Sequence, residues 1–124
     1  MKIQESAEDY LESVLMLSQT QEYVRAADLC RRLGFSRPTV SQAVHELAAD
    51  GYLALDAANH ITLTERGLPI AERTLERHNV IANIFLSIGV PEEIAYEDAC
   101  RVEHYISPET FACMKEKYNE LTGR

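Results

Sequence analysis

The stretch RAADLCRRLGFSRPTVSQAVHELAADG, residues 25–51, determines the predicted fold of the N-terminal half of the chain. Its first nine residues form helices readily and end at Gly34, a residue type that often takes the left-handed conformation after a helix. A second helix is predicted after Ser36, which can cap it, with Pro38 in the first turn and apolar residues at helical spacing as far as Gly51. Two helices joined by a short turn are typical of a helix-turn-helix unit.

The residues on either side of this unit predict a winged helix-turn-helix domain. Before it, apolar residues recur at helical spacing over residues 5–19 and predict an amphipathic helix. After it, two short β-prone runs at 52–55 and 60–63 flank a loop rich in turn-forming residues. These runs predict a β-hairpin, the wing.

The rest of the chain is predicted to be helical. A long helix is expected from Thr64 to about Ile88, and Pro69 must either delay its regular start or bend it, so we expect a kink there. Two more helices are predicted, one over about 92–105 and one from the Ser107 cap onward. The fold class is therefore mainly α.

Composition excludes several classes of protein. The chain has 124 residues and a mass of 14.0 kDa, and its apolar runs are far shorter than the roughly 20 residues that cross a bilayer. Three widely spaced cysteines without a CxxC pair indicate neither a disulfide framework nor a zinc ribbon. We expect a cytoplasmic protein without membrane contact, with a winged helix-turn-helix domain at residues 1–70 and a helical domain at 71–124.

Charge and side-chain chemistry bear on DNA binding. The net charge of −8 argues against a protein that binds nucleic acid constitutively, but residues 21–51 carry four basic and four acidic side chains and are neutral. The second helix of the unit presents small, polar and basic side chains that suit bases and phosphates. The predicted DNA-contacting residues are Arg25, Ser36, Arg37, Pro38, Thr39, Ser41, Gln42 and His45.

A second set of residues has the chemistry of metal ligands. Two carboxylates lie at i and i+3 in the first helix, while a thiol, a carboxylate and an imidazole lie at i, i+3 and i+4 near residue 100. Such groups can bind Mn²⁺, Fe²⁺, Co²⁺, Ni²⁺ or Zn²⁺, although acidic residues in a first turn also suit the helix dipole. The candidate ligands are Asp9, Glu12, His78, Cys100, Glu103 and His104.

Several motifs resemble the diphtheria-toxin-repressor family of metal-dependent transcriptional regulators. They are PTVSQ at 38–42, ELAADGYL at the entry to the wing, LTERG at 63–67, Arg77-His78, IGV at 88–90 and EDACRVEHYIS at 97–107. The resemblance extends from about residue 6 to about residue 120, and the ACRxEH element is its most specific part. It implies a homodimer that binds a palindromic operator in double-stranded DNA and represses metal-homeostasis genes when a divalent metal binds.

The resemblance also places all six candidate ligands on the metal positions of the family. Asp9 and Glu12 resemble the manganese-responsive branch, whereas Cys100 resembles the iron-responsive branch. A thiolate favours softer ions and carboxylates suit Mn²⁺. We expect one or two Fe²⁺ or Mn²⁺ ions per protomer, with Zn²⁺, Co²⁺ or Ni²⁺ possible in vitro, and we expect no enzymatic activity and no small-molecule substrate.

Three alternatives stay open at this point. The main one is a metal-independent winged-helix regulator in which Cys100 and Cys113 sense oxidants. The others are a metallohydrolase that uses the same ligands and an acidic helical interaction module. Iron-responsive relatives also carry an SH3-like domain, so we expect either a short two-domain member of the family or a truncated chain.

Overall fold

The computed structural model describes residues 5–122, and side chains from residue 7 onward. The elements are α1 (Glu5–Ser18), α2 (Ala26–Leu33), α3 (Arg37–Ala49), β1 (Leu53–Leu55), β2 (Ile61–Leu63), α4 (Leu68–Ser87), α5 (Glu92–Val102) and α6 (Pro108–Thr122). The predicted mainly α fold with a winged helix-turn-helix is confirmed. The chain divides into two compact units, Met1–Arg73 and Thr74–Arg124. The division predicted after residue 70 stays a prediction, since α4 runs through both positions.

α2 and α3 form the predicted helix-turn-helix. Gly34 ends α2 in the left-handed conformation, with φ of 75°, and its N–H donates to the carbonyl of Cys30 at 2.9 Å. The hydroxyl of Ser36 accepts a hydrogen bond from the N–H of Thr39 at 3.4 Å at the start of α3. The apolar face of α3 is buried; it consists of Val40, Val44 and Leu47.

β1 and β2 pair antiparallel and form the predicted wing. A carboxylate oxygen of Asp56 accepts two backbone N–H groups of the connecting loop, one of them from His60 at 2.8 Å. Asn59 takes a φ of 62°, a left-handed conformation that asparagine tolerates better than most residues. The N–H of Ile61 donates to the carbonyl of Val24 at 2.7 Å, so the wing is attached to the segment before α2.

One apolar core holds the first unit together. Side chains from α1, α2, α3 and both strands meet in it, and the larger fully buried ones are Leu11, Val14, Leu29, Val40, Leu47 and Leu53. Burying such a side chain contributes roughly 1.5–3 kcal/mol. This shared core fixes the position of α3 relative to the wing.

A turn over residues 64–67 leads from the wing into α4. The helix begins at Leu68, so Pro69 lies in its first turn, where a missing N–H costs no helical hydrogen bond. The proline therefore delays the helix start. At this position it breaks no helical hydrogen bond, so it gives no reason for the predicted kink. A Cβ on Gly67 would lie 2.1 Å from the carbonyl oxygen of Tyr52, so only glycine fits at this close approach.

The second unit has its own apolar core, in which α4, α5 and α6 each take part. Its buried members are Ile81, Ala82, Ala99 and Phe111. α5 ends at Val102, three residues before the predicted end, whereas the hydroxyl of Ser107 accepts the N–H of Thr110 at 3.1 Å, as a cap should. Within residues 5–122, no helix has the length and apolar character needed to cross a membrane.

Candidate nucleic-acid interface and metal centre

α3 and the wing border a cleft of about 310 Å³ in the first unit. Four of the predicted DNA-contacting residues line it together with the tip of the wing loop; the polar members are Arg25, Arg37, Ser41, His45 and Asn59. Basic and hydroxyl side chains of this kind bind phosphate and sugar oxygens. The structure thus gathers half of the predicted contact residues at one concave surface.

The remaining predicted contacts lie at the start and along the exposed side of α3. Thr39, Pro38 and Gln42 are exposed. The hydroxyl of Ser36 lies 2.8 Å from that of Thr39, so both groups take part in capping the helix. The amide of Gln42 donates to the carboxylate of Glu46 at 3.3 Å, a weak contact that a base edge can replace.

His45 is held in a defined orientation on α3. Its Nδ1 lies 2.7 Å from the carbonyl oxygen of Ser41, and because a carbonyl only accepts hydrogen bonds, Nδ1 carries the proton. The other ring nitrogen is therefore the acceptor when the ring is neutral. His45 is exposed, so it is accessible to a ligand in the cleft.

Arg25 reaches from the start of α2 to the wing. Its Nη2 lies 3.1 Å from Nε2 of His60, whose Nδ1 lies 2.9 Å from the carboxylate of Asp56. The ring of Tyr23 stacks on the ring of His60 with centroids 4.1 Å apart. The backbone N–H of His60 is the main cause that lowers the pKa of Asp56. His60 and Asn59 were not among the predicted contact residues, although the turn-forming residues from Asp56 to Asn59 are a usable signal for the loop that carries them.

In the second unit, four of the predicted metal ligands lie near one another. Nδ1 of His78 lies 3.0 Å from Oε2 of Glu103, and Nε2 of His104 lies 3.4 Å from Oε1 of the same carboxylate. The thiol of Cys100 lies within 4.8 Å of a Glu103 carboxylate oxygen. The Glu103 side chain is fully buried, and the His104 side chain is 2% exposed.

These separations are those of hydrogen bonds and ion pairs between the imidazoles and the carboxylate of Glu103. The same side chains also have the chemistry of transition-metal ligands. α5 ends at Val102, so His104 lies in the turn that follows it, and not on the predicted helix. Because Glu103 is still helical, with its N–H donating to the carbonyl of Ala99 at 3.0 Å, the relation to Cys100 is kept.

Arg77 fixes the turn that carries two of these ligands. Its Nη1 donates to the carbonyl oxygens of Glu103 at 3.1 Å and Ile106 at 2.8 Å, and its guanidinium lies 5.3 Å from the centre of the Phe111 ring. A charged donor on two carbonyls holds a turn more firmly than neutral contacts do. In the sequence, Arg77 stands out only as part of a motif, and nothing in the pattern indicates this role.

The two remaining predicted ligands lie in the first unit. Asp9 and Glu12 are one turn apart on α1, where Glu12 is buried and Asp9 is partly buried. A buried carboxylate is costly unless hydrogen bonds or a cation compensate for its lost hydration. The charged form of Glu12 therefore depends on such compensation.

Comparison with known families agrees with both halves of the chain. Residues 2–61 match the family described as "Iron dependent repressor, N-terminal DNA binding domain", and residues 64–123 match "Iron dependent repressor, metal binding and dimerisation domain". The "Transcriptional regulator MntR" of Escherichia coli O6:H1 is 36% identical over 106 residues, which cover 86% of this chain and 68% of the relative. The "HTH-type transcriptional regulator MntR" of Bacillus subtilis strain 168 is 33% identical over 102 residues, covering 82% of this chain and 72% of the relative.

Solved structures show the same fold. One titled "Manganese-dependent transcriptional repressor complex with manganese" superposes with a TM-score of 0.83 at 26% identity, over 91% of this chain and 52% of that one. Another, "Crystal structure of T. acidophilum IdeR", has a TM-score of 0.79 at 26% identity, over 100% of this chain and 56% of that one. The chain spans about half the length of these solved proteins.

Proposed function

Because this chain belongs to the iron-dependent repressor family, the metal-dependent regulators that its sequence resembles, we propose that it represses transcription as a homodimer in the cytoplasm. In this proposal, the dimer binds a palindromic operator when each protomer holds a divalent metal. The observation that carries it is the cluster of His78, Glu103 and His104, in which one buried carboxylate lies 3.0 and 3.4 Å from two imidazoles. Two similar proteins support it: the transcriptional regulator MntR of Escherichia coli and a solved manganese-dependent transcriptional repressor.

The proposed metal ligands come from both units of the chain. In the second unit, the His78–Glu103–His104 cluster would bind the ion together with the Cys100 thiolate, and Asp9 and Glu12 on α1 would complete the set. The physiological ion would be Fe²⁺ or Mn²⁺, one or two per protomer, since thiolate and carboxylate ligands favour different ions. When bound, a divalent cation supplies positive charge and fixed coordination directions.

Four ligands of this set are acidic. Asp9, Glu12, Glu103 and the Cys100 thiolate repel one another if they approach without a counter-charge. Burial of Glu12 and Glu103 makes that repulsion more costly, because neither group is well hydrated. In the proposal, α1 is therefore held firmly to the ligands of the second unit only in the metal-loaded state.

The proposed DNA contacts divide by chemistry. Gln42 can bond an adenine edge in the major groove, while Arg25, Arg37 and His45 in the cleft can bind phosphates. The two α3 helices of a dimer would have to lie about 34 Å apart, one turn of B-DNA, or a multiple of this. A hundredfold gain in operator affinity would need only about 2.7 kcal/mol of metal preference for that arrangement.

The experiment starts from DNA selected by the protein itself. Duplexes are recovered from a randomised library with the Mn²⁺-loaded chain and then titrated with the chain in Mn²⁺, in anaerobic Fe²⁺ and in chelator. We expect tight binding with metal and at least a hundredfold weaker binding in chelator. Equal binding in all three conditions would refute metal dependence and would favour the oxidant-sensing alternative.

Two variants test the metal centre against a matched control. His104→Ala should abolish the metal response, measured both by calorimetric metal titration and by DNA binding. Glu97→Ala removes a carboxylate on α5 that is 61% exposed, and it should leave both measurements unchanged. A His104→Ala protein that keeps the wild-type metal response would remove this residue from the site.

Gln42→Ala should weaken specific binding far more than nonspecific binding.

A further inference from the structure

Asp56, His60 and Arg25 of the first unit form a hydrogen-bonded series in which each donor and acceptor is defined. The carboxylate of Asp56 only accepts hydrogen bonds, so the Nδ1 atom of His60, 2.9 Å away, must donate to it. A neutral imidazole then offers its lone pair at Nε2. The Nη2 atom of Arg25, which can only donate, lies 3.1 Å from that nitrogen.

The ring of His60 is held in one orientation by burial and by stacking. Its side chain is only 14% exposed, and the ring of Tyr23 stacks on it at an angle of 14°. Asp56 is fixed in turn, because it also accepts backbone N–H groups of the wing loop at 2.9 and 2.8 Å. The imidazole therefore has a defined orientation before any ligand arrives.

Arg25 is the member of this hydrogen-bonded series that faces the cleft. Its backbone N–H donates to the carboxylate of Asp28 at 2.8 Å, which fixes its main chain at the start of α2. The side chain is long and exposed, and without an acceptor on the wing it would sample many rotamers. The contact with His60 restrains the guanidinium along the wall of the cleft that Arg37 and His45 also line.

We propose that His60 is a positioning residue, which accepts a hydrogen bond from Arg25 and thereby holds that guanidinium ready for a DNA phosphate. This inference rests on the proposed function and adds to it a residue that does not itself contact the DNA. Arg25 has five N–H donors, so the contact with His60 leaves others for a phosphate oxygen. Restraining a side chain before binding reduces the entropy lost on binding.

A double-mutant cycle tests this role in the full Mn²⁺-loaded chain. The probe is a duplex of about 30 base pairs recovered from the randomised library by the wild-type protein. Arg25→Ala should weaken binding roughly tenfold, the effect of losing a hydrogen bond to a charged group. His60→Ala should weaken binding roughly fivefold in the wild-type background but less than twofold once Arg25 is already alanine.

Salt dependence gives an independent measurement. Loss of one phosphate contact lowers the slope of log affinity against log salt concentration by about 0.9, so Arg25→Ala should show this reduction. His60→Ala keeps the guanidinium charge, so its slope should stay near the wild-type slope although its affinity falls. A purely structural role of His60 in the wing would instead give equal losses of affinity in both backgrounds. That result would overturn the proposal.

Two further variants keep the test decisive if His60→Ala disturbs the wing. His60→Gln has an amide that can donate to Asp56 and a carbonyl that can accept from Arg25, so most of the affinity should return. Asp56→Asn keeps an oxygen for the loop N–H groups but can place an amide donor opposite Nδ1, so binding should weaken as in His60→Ala. Wild-type affinity in Asp56→Asn would contradict the proposed polarity.

The two proposals can fail separately. Wild-type binding that depends on Mn²⁺, combined with an additive cycle, would overturn the role of His60 and leave the repressor function intact. Absence of any Mn²⁺-dependent duplex binding by the wild-type chain would overturn both.

Discussion

Replacing Gly67 by alanine should destabilise the first unit by an amount that the geometry of one turn allows us to estimate. An ideal Cβ at this position lies 2.1 Å from the carbonyl oxygen and 3.0 Å from the carbonyl carbon of Tyr52. Both atoms belong to the backbone, so no side-chain rotation can relieve the contact. The turn and Tyr52 would have to separate by roughly 1 Å before the contact became acceptable.

That separation would strain the hydrogen bonds that attach the turn to the end of α3 and the start of the wing. The N–H of Thr64 donates to the Tyr52 carbonyl at 3.2 Å, and the Thr64 hydroxyl donates to the Gly51 carbonyl at 2.6 Å. Arg66 donates to the carbonyl of Asp50 at 2.8 Å and to the Tyr52 hydroxyl at 3.0 Å. Loss of two or three such bonds, at about 1 kcal/mol each, gives an expected cost of about 2–3 kcal/mol.

Urea and thermal unfolding of the metal-free chain, followed by circular dichroism, measure this cost. At about 4 °C per kcal/mol for a chain of this size, Gly67→Ala should lower Tm by about 8–12 °C. Glu65→Ala changes an exposed residue of the same turn and should stay within about 0.5 kcal/mol of wild type. A Gly67→Ala protein as stable as the Glu65→Ala control would refute the argument from close approach.

Three other perturbations have defined outcomes. The backbone N–H of Arg25 holds the pKa of Asp28 below its usual 3.8. Asp28→Asn should therefore lower the free energy of unfolding by about 1 kcal/mol at pH 7. Because the charged carboxylate is lost as the pH falls through the lowered pKa, this difference in urea midpoints should shrink over that range. Arg77→Ala, which removes a donor to two carbonyls, should lower both Tm and Mn²⁺ affinity. Arg73→Ala, which removes a long ion pair of 3.9 Å with Glu8, should change Tm by less than about 2 °C. Cys100→Glu should shift the ratio of Fe²⁺ to Mn²⁺ affinity toward Mn²⁺ by calorimetry, and an unchanged ratio would contradict a thiolate ligand.

The parts of the fold that the sequence could predict depend on local interactions. Gly34 and Ser36 act on their own helix ends, and the turn between α2 and α3 follows from them. The need for glycine at position 67, in the turn before α4, could not be found in this way, because it comes from a contact with Tyr52 fifteen residues earlier. A pattern read over a few residues contains no information about such an approach.

The end of α5 has a similar cause. Helical spacing continues to about residue 105, but Arg77 donates to the carbonyls of Glu103 and Ile106 and holds them in a turn. These partners lie 26 and 29 residues away from Arg77 in the chain, so only the tertiary structure shows why the helix ends at Val102. The predicted spacing of Cys100 and Glu103 is nevertheless kept, because Glu103, the capping residue, retains helical backbone angles.

The interface shows the same division between local and long-range causes. Arg25 was recognised by its charge and position, but its partner His60 lies in a loop without periodicity, 35 residues later. Loop residues are ordered by individual hydrogen bonds, here those of Asp56, and not by burial of a repeating face. Sequence reasoning therefore finds candidate contact residues from their chemistry more readily than it finds the residues that are hydrogen-bonded to them.

An acidic protein that binds DNA needs a reason why its net charge does not prevent binding. The net charge is −8, and one divalent ion would offset only two of these charges. At physiological salt, charges separated by more than about 8 Å are largely screened, so acidic residues far from the cleft repel DNA only weakly. The basic cleft around Arg25 and Arg37 can then act locally. In the proposed mechanism, metal would therefore raise affinity mainly by fixing the arrangement of the two α3 helices, because charge neutralisation alone would add little to what salt already screens.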